Sequence, residues 1–185
     1  MKPAAFDYLA PRSIEEALDQ LARHGSDARV LAGGQSLVRL MNTRLAAPTV
    51  LVDINRIPGL DHIDADNGTV RIGATARQRD SELSELVRDR VPLLAEAGAL
   101  VAHASVRRRG TVVGSVAFAD PSAELPAALL APGVGTGELE PVAQEVHEQR
   151  PRLDQHVVGG VVHGDRDPDL VRHRRPPCGR GPARR

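Results

Sequence analysis

The chain has 185 residues, and its 24 basic side chains balance 24 acidic ones. That balance excludes a partner recruited by global charge, such as nucleic acid, and no stretch approaches the roughly 20 apolar residues of a membrane helix. The single cysteine, Cys178, excludes a disulfide framework, a cysteine-ligated iron–sulfur cluster and a zinc ribbon on this chain. With a start that lacks the apolar core of a signal peptide, it points to a cytoplasmic setting.

In chain order, Ser13-Ile14-Glu15-Glu16 is a capping box, and Ile14, Ala17, Leu18, Leu21 and Ala22 follow at helical spacing until Gly25 stops the helix. Residues 28–31 read as a short strand, and residues 36–45 as a helix with Leu37, Leu40 and Met41 inward. Val50-Leu51-Val52-Asp53-Ile54 is a strand whose unbroken apolar run predicts cover on both faces. Asn67-Gly68, between strands at 60–64 and 69–72, signals a type I′ hairpin turn. Residues 81–88 and 93–101 read as helices, 112–118 as a strand and 123–130 as a helix. The fold class is mixed, with short strands.

Two glycine-containing segments stand out, Ala32-Gly33-Gly34-Gln35-Ser36 and Arg109-Gly110-Thr111-Val112-Val113-Gly114-Ser115. Each is read as following an apolar, strand-like run. Glycine permits close backbone approach and positive φ, and successive N–H groups can form an anion nest. The pair suggests a ligand with phosphates, with a dinucleotide the natural candidate. Ordinary readings stand beside this one. Gly33-Gly34 also suits a strand-to-helix turn, and Gly110-Thr111 with Gly114 a loop and a close-packed strand. Asp120 reads as a helix N-cap, Glu124 as a first-turn acid, and Asp53 as a turn cap. Arg107-Arg108-Arg109 reads as a solvated charge run.

Composition changes near Ala131. Residues 132–185 contain no aromatic, isoleucine or methionine but half of the prolines, with His147, His156, His163 and His173 scattered among them. Most of this segment is expected to be poorly ordered, and neither its histidines nor Cys178 suggests a metal site.

The ordered motifs Ala32-Gly33-Gly34-Gln35-Ser36-Leu37, Leu51-Val52-Asp53-Ile54, Arg109-Gly110-Thr111 through Gly114-Ser115, and Ala119-Asp120-Pro121-Ser122-Ala123-Glu124-Leu125-Pro126-Ala127 resemble the FAD-binding (medium) subunit of the molybdenum hydroxylases, such as carbon monoxide and xanthine dehydrogenases. The resemblance covers about residues 1–131. It implies an α+β fold of the vanillyl-alcohol-oxidase (PCMH) type, with two small α/β subdomains and FAD between them. Ala32, Gly33, Gly34, Gln35, Ser36 and Leu37 would surround the FAD pyrophosphate. Thr111, Val112, Val113, Gly114 and Ser115 would form a second phosphate loop, and Glu124 would lie near the flavin's sugar-like chain. No catalytic side chain and no metal ligand is implied on this chain.

Molybdopterin and [2Fe-2S] clusters would sit on partner subunits, a molybdenum large subunit and an iron–sulfur small subunit. Electrons would pass through FAD to an acceptor such as NAD, a quinone or oxygen. The family's second loop usually has adjacent glycines, and Val113 takes the place of the first; a positive φ there would cost a β-branched residue on the order of 1–3 kcal/mol. The resemblance ends at Leu129-Leu130-Ala131, so 1–131 is expected to be an incomplete FAD-binding domain, and 132–185 a frameshifted or truncated end. The contrasting function class is a fragment that retains no FAD.

Overall fold

The computed structural model describes residues 2–66, 68–131 and 159–163. Strand β1 (Asp7–Leu9) leads into helix α1 (Ile14–His24), which begins where Ser13 Oγ accepts the Glu16 N–H at 3.1 Å. Glu16 returns the contact to the Arg12 N–H at 2.9 Å, so the box closes one residue earlier than its usual form. Gly25, at φ 54°, ends the helix in a conformation that a side chain would strain. Strand β2 (Ala28–Leu31), helix α2 (Leu37–Thr43) and strand β3 (Val50–Asp53) follow. These three strands form a parallel sheet in the order β1-β3-β2. All four residues of β3 are buried, as its apolar run predicts for a central strand. Ala17 and Leu21 of α1 pack on Ala28, Val50 and Val52, while Ile54, Ile57 and Leu60 complete this first core.

The second half is built on an antiparallel sheet. Strands β4 (Ile63–Asp66) and β5 (Thr69–Gly73) pair as a hairpin, with Gly68 at φ 85° in the turn. Asn67, the other turn residue, lies outside the described residues. Strand β6 (Gly159–His163) pairs with β5 from Thr69↔His163 to Gly73↔Gly159. These five residues fall in the segment expected to be poorly ordered. The remainder of that expectation, with His147, His156, His173 and Cys178, lies outside the described residues.

The anticipated helix over 81–88 is two helices, α3 (Gln78–Leu83) and α4 (Glu85–Arg90). They divide at Ser84, which is extended at ψ 122° and caps α4 by accepting the Val87 N–H. Helix α5 (Pro92–Leu100) carries Pro92 in its first turn, where a missing N–H costs nothing. A short helix α6 (Ala104–Arg107) comes next, so the second glycine segment follows helices and not the strand-like run expected from sequence.

Residues 112–118 form helix α7 (Val112–Phe118), not a strand. The valines favour strand on propensity, but Thr111 caps the segment as a helix, and burial of both Val112 and Val113 outweighs that preference. Helix α8 (Glu124–Leu130) follows. Its N-cap is Ala123, not Asp120; the Asp120 carboxylate accepts the Ser122 N–H and hydroxyl in a turn just before the helix. Those hydrogen bonds hold Asp120 below the usual carboxylate range. Val70, Ile72, Val87, Val91, Leu94, Val112, Val113 and Leu125 make the second core.

Candidate functional site

The two glycine segments meet face to face between the two cores. The first leaves the end of β2 and turns at Gly34, whose φ of 68° permits the sharp entry into α2. Gln35 Nε2 donates to the Gly33 carbonyl at 3.1 Å. Gly33 is pressed onto the second segment: a Cβ there would lie 2.6 Å from the Arg109 carbonyl oxygen and 2.8 Å from both Gly110 Cα and the Thr111 nitrogen. Only a residue without a side chain allows this contact.

The second segment is held from behind by the connection between β5 and α3. The Gln78 N–H donates to the Gly110 carbonyl at 2.9 Å, and the Val112 N–H to the Ala76 carbonyl at 3.2 Å. Thr111 Oγ1 then accepts the Gly114 N–H at 3.1 Å, capping α7. The family resemblance implies a phosphate loop at residues 111–115; in the structure they are a cap and the first turn of α7. Val113 is therefore helical and absent from the positive-φ residues, so the strain that its β-branch would carry in a left-handed conformation does not arise.

A cavity of about 430 Å³ opens where the segments meet, within the range of small-molecule sites. Ala32, Gly33, Gly34, Gln35, Ser36 and Leu37 line one side, and Gly110, Thr111, Val113, Gly114 and Ser115 the other. Val112 lies beneath, in the second core. Glu124 is exposed at the head of α8 and is not among the lining residues. Asp53 also lies outside the lining: it accepts the Asn55 N–H at 2.9 Å and the Tyr8 hydroxyl, and it caps the 3-10 turn at Ile54–Arg56. The hydrogen bond to Asp53, followed by burial, raises the Tyr8 phenol above its ordinary value.

The chemistry of the wall favours an anion. Among the described residues, the lining includes Ser36, Thr111, Ser115, Gln35 and Arg29, but no Asp or Glu; Arg29 Nη1 is turned to the Ser26 and Ala28 carbonyls, each at 2.8 Å. A negatively charged ligand would therefore meet polar residues and no carboxylate from the described wall. Among the described residues no group of three or more His, Cys, Asp or Glu could hold a metal ion, and no helix is long and apolar enough to cross a membrane.

Sequence reasoning missed several contributors. Gln78 is buried beside the cavity; its Nε2 donates to the Thr111 carbonyl at 3.5 Å, and its Oε1 has no partner. Ile54, Ala74 and Phe118 extend the wall. Nothing local marks these positions as cavity wall, Ile54 within its motif included, because each reaches the cavity only through the packing of separate elements. Arg107, read as part of a solvated run, is instead held at 11% side-chain exposure by Glu82 at 2.9 Å. Arg79 binds the other Glu82 oxygen at 2.5 Å, and Arg107 Nη1 donates to the Val101 and Ala102 carbonyls. Burial pushes the Glu82 carboxyl up, but the two arginines outweigh it and hold the group below its ordinary value. This cluster ties α6, and with it the approach to Arg109, to α3.

Comparison with known proteins agrees with this architecture. Residues 4–136 match the family described as the FAD binding domain in molybdopterin dehydrogenase. The 6-hydroxypseudooxynicotine dehydrogenase complex subunit alpha of Paenarthrobacter nicotinovorans is 50% identical over 131 residues, covering 71% of this chain and 44% of that protein. The carbon monoxide dehydrogenase medium chain of Hydrogenophaga pseudoflava is 47% identical over 131 residues, 71% of this chain and 46% of the relative. A solved carbon monoxide dehydrogenase from Hydrogenophaga pseudoflava, which lacks the Mo-pyranopterin moiety, superposes with a TM-score of 0.74 at 37% identity, covering 90% of this chain and 62% of that one. The chain spans about half the length of the curated relatives it matches. It belongs to the family of FAD-binding domains found in molybdopterin dehydrogenases.

Proposed function

We propose that this chain is FAD-binding sequence of the medium, electron-transfer subunit of a molybdenum-dependent hydroxylase or dehydrogenase. The observation that carries this reading is the cavity where the two glycine segments meet, lined by Ser and Thr residues and, among the described residues, by no Asp or Glu. It fits a diphosphate: Gly33 has no room for a side chain, Gly34 turns the backbone at positive φ, and hydroxyl-bearing residues, Ser36 on one side and Thr111 and Ser115 on the other, belong to the wall. Residues 32–37 would hold the pyrophosphate from one side and Thr111 to Ser115 from the other, with Val112 contributing backbone. Glu124, at the head of a helix packed on α7, would take the sugar-like chain of the flavin. Hydrogen bonds to charged phosphate oxygens contribute roughly 1.5–3 kcal/mol each.

Bound FAD would supply the redox chemistry, and this chain its position and electrostatics. In the assembled enzyme, electrons would arrive from an iron–sulfur subunit and leave for an acceptor such as NAD, a quinone or oxygen. Substrate oxidation would belong to a molybdenum-bearing subunit, in a cytoplasmic complex. Several relatives are subunits of multi-subunit dehydrogenases, which supports the hetero-oligomer.

The test is the absorption spectrum of the purified chain before and after incubation with FAD and desalting. Retained absorbance of oxidised flavin supports the reading. A chain that stays colourless is a fragment that does not hold the cofactor.

A further inference from the structure

We propose that Asn55 and Arg77 form a strut that sets the spacing of the two glycine segments, making them positioning residues for the cofactor site; the cofactor part of this inference rests on the function proposed above. Asn55 follows β3, and Asp53 Oδ1 accepts both its N–H at 2.9 Å and its Nδ2 at 2.5 Å. The same Nδ2 donates to the Ala32 carbonyl, the start of the first segment, at 2.8 Å. Asn55 Oδ1 accepts from Arg77 Nη2 at 2.7 Å, and Arg77 Nη1 donates to the Arg109 carbonyl, the start of the second segment, at 2.7 Å.

One side-chain relay therefore links the first residue of each segment. Its far end is the same Arg109 oxygen that stands closest to Gly33. Its base is anchored, because Asp53 is buried and is also held by the Tyr8 hydroxyl from β1. Neither Asn55 nor Arg77 lines the cavity, so any effect on a ligand must travel through loop geometry. The fork of a guanidinium is what lets one side chain reach two acceptors; an ammonium presents a single point. Asn55 is exposed and Arg77 half-buried, so truncating them leaves no void in either core.

The 185-residue wild-type chain, Arg77→Ala, Arg77→Lys, Asn55→Ala and the double alanine variant provide the test. Amide hydrogen exchange is measured without FAD, and FAD affinity by titration. Exchange is expected to rise about tenfold in both 32–37 and 109–115 for Arg77→Ala, although Arg77 touches only the second segment, while the rest of the domain is unchanged. FAD should bind about tenfold more weakly to each alanine variant, and the double variant should bind no more weakly than either single one. Arg77→Lys should recover only part of the loss.

Exchange confined to 109–115, or additive losses in the double variant, would overturn the strut. Equal FAD affinity in wild type and variants would overturn its role in positioning. A wild-type chain that retains no FAD but shows the joint loosening supports the strut and refutes the function proposed above.

Discussion

Replacing Gly33 by alanine is the sharpest test of how the two segments meet. Gly33 does not adopt positive φ, so the added methyl group brings no backbone strain and acts through space alone. The new Cβ would stand 2.6 Å from the Arg109 carbonyl oxygen, where ordinary contact begins near 3.4 Å. The segments must then part by about 0.8 Å, the difference between those two distances. All three nearest atoms are backbone, so no side chain can swing aside. Overpacking of this kind costs about 1–3 kcal/mol. For a chain of this size that lowers the melting temperature by about 2–12 °C.

The same displacement should spread the donors around a diphosphate and weaken FAD binding by at least about tenfold. Gly59→Ala is the control: its φ is 78° but nothing lies within 4 Å, so it should lose about 1 kcal/mol of stability to strain and keep wild-type affinity. Calorimetry and flavin titration of both variants separate the effects. A Gly33→Ala chain that melts with wild type and binds FAD equally would refute the close approach of the segments.

Removing the Thr111 hydroxyl in Thr111→Ala should cost about 1 kcal/mol through the lost cap on α7, and Thr111→Ser should restore it, read by thermal melting. Glu82→Gln should destabilise by about 1–3 kcal/mol, less than in a fully buried pair, because Arg107 loses its partner at 11% exposure. The Glu82 carboxyl titrates below its ordinary 4.5 in the folded chain, so its contribution is complete above that pH and fades as pH falls through the depressed value. The wild-type advantage over Glu82→Gln should therefore shrink on acidification; an advantage that grows would contradict the assignment. Glu124→Gln should weaken FAD retention severalfold with no change in melting, since the side chain is exposed. Unchanged affinity would remove Glu124 from the site.

Local chemistry was enough to read much of this protein from its residues. The Ser13 cap, the Gly25 stop, the buried β3 run and the hairpin around Gly68 are set within a few residues of chain, where spacing and backbone permissiveness decide. The order of the glycine motifs is likewise sufficient to point to the family.

Tertiary structure decided what depends on distant neighbours. Val112–Phe118 carries strand-forming residues, yet the Thr111 cap and burial against the second core make it a helix. Arg107 lies in a run of three arginines, yet Glu82, 25 positions away, draws it out of solvent. Asn55 and Arg77 are 22 residues apart and carry no motif, yet their hydrogen bond links the two segments that make the cavity. In each case the deciding partner is remote in the chain, so propensity and spacing carry no record of it.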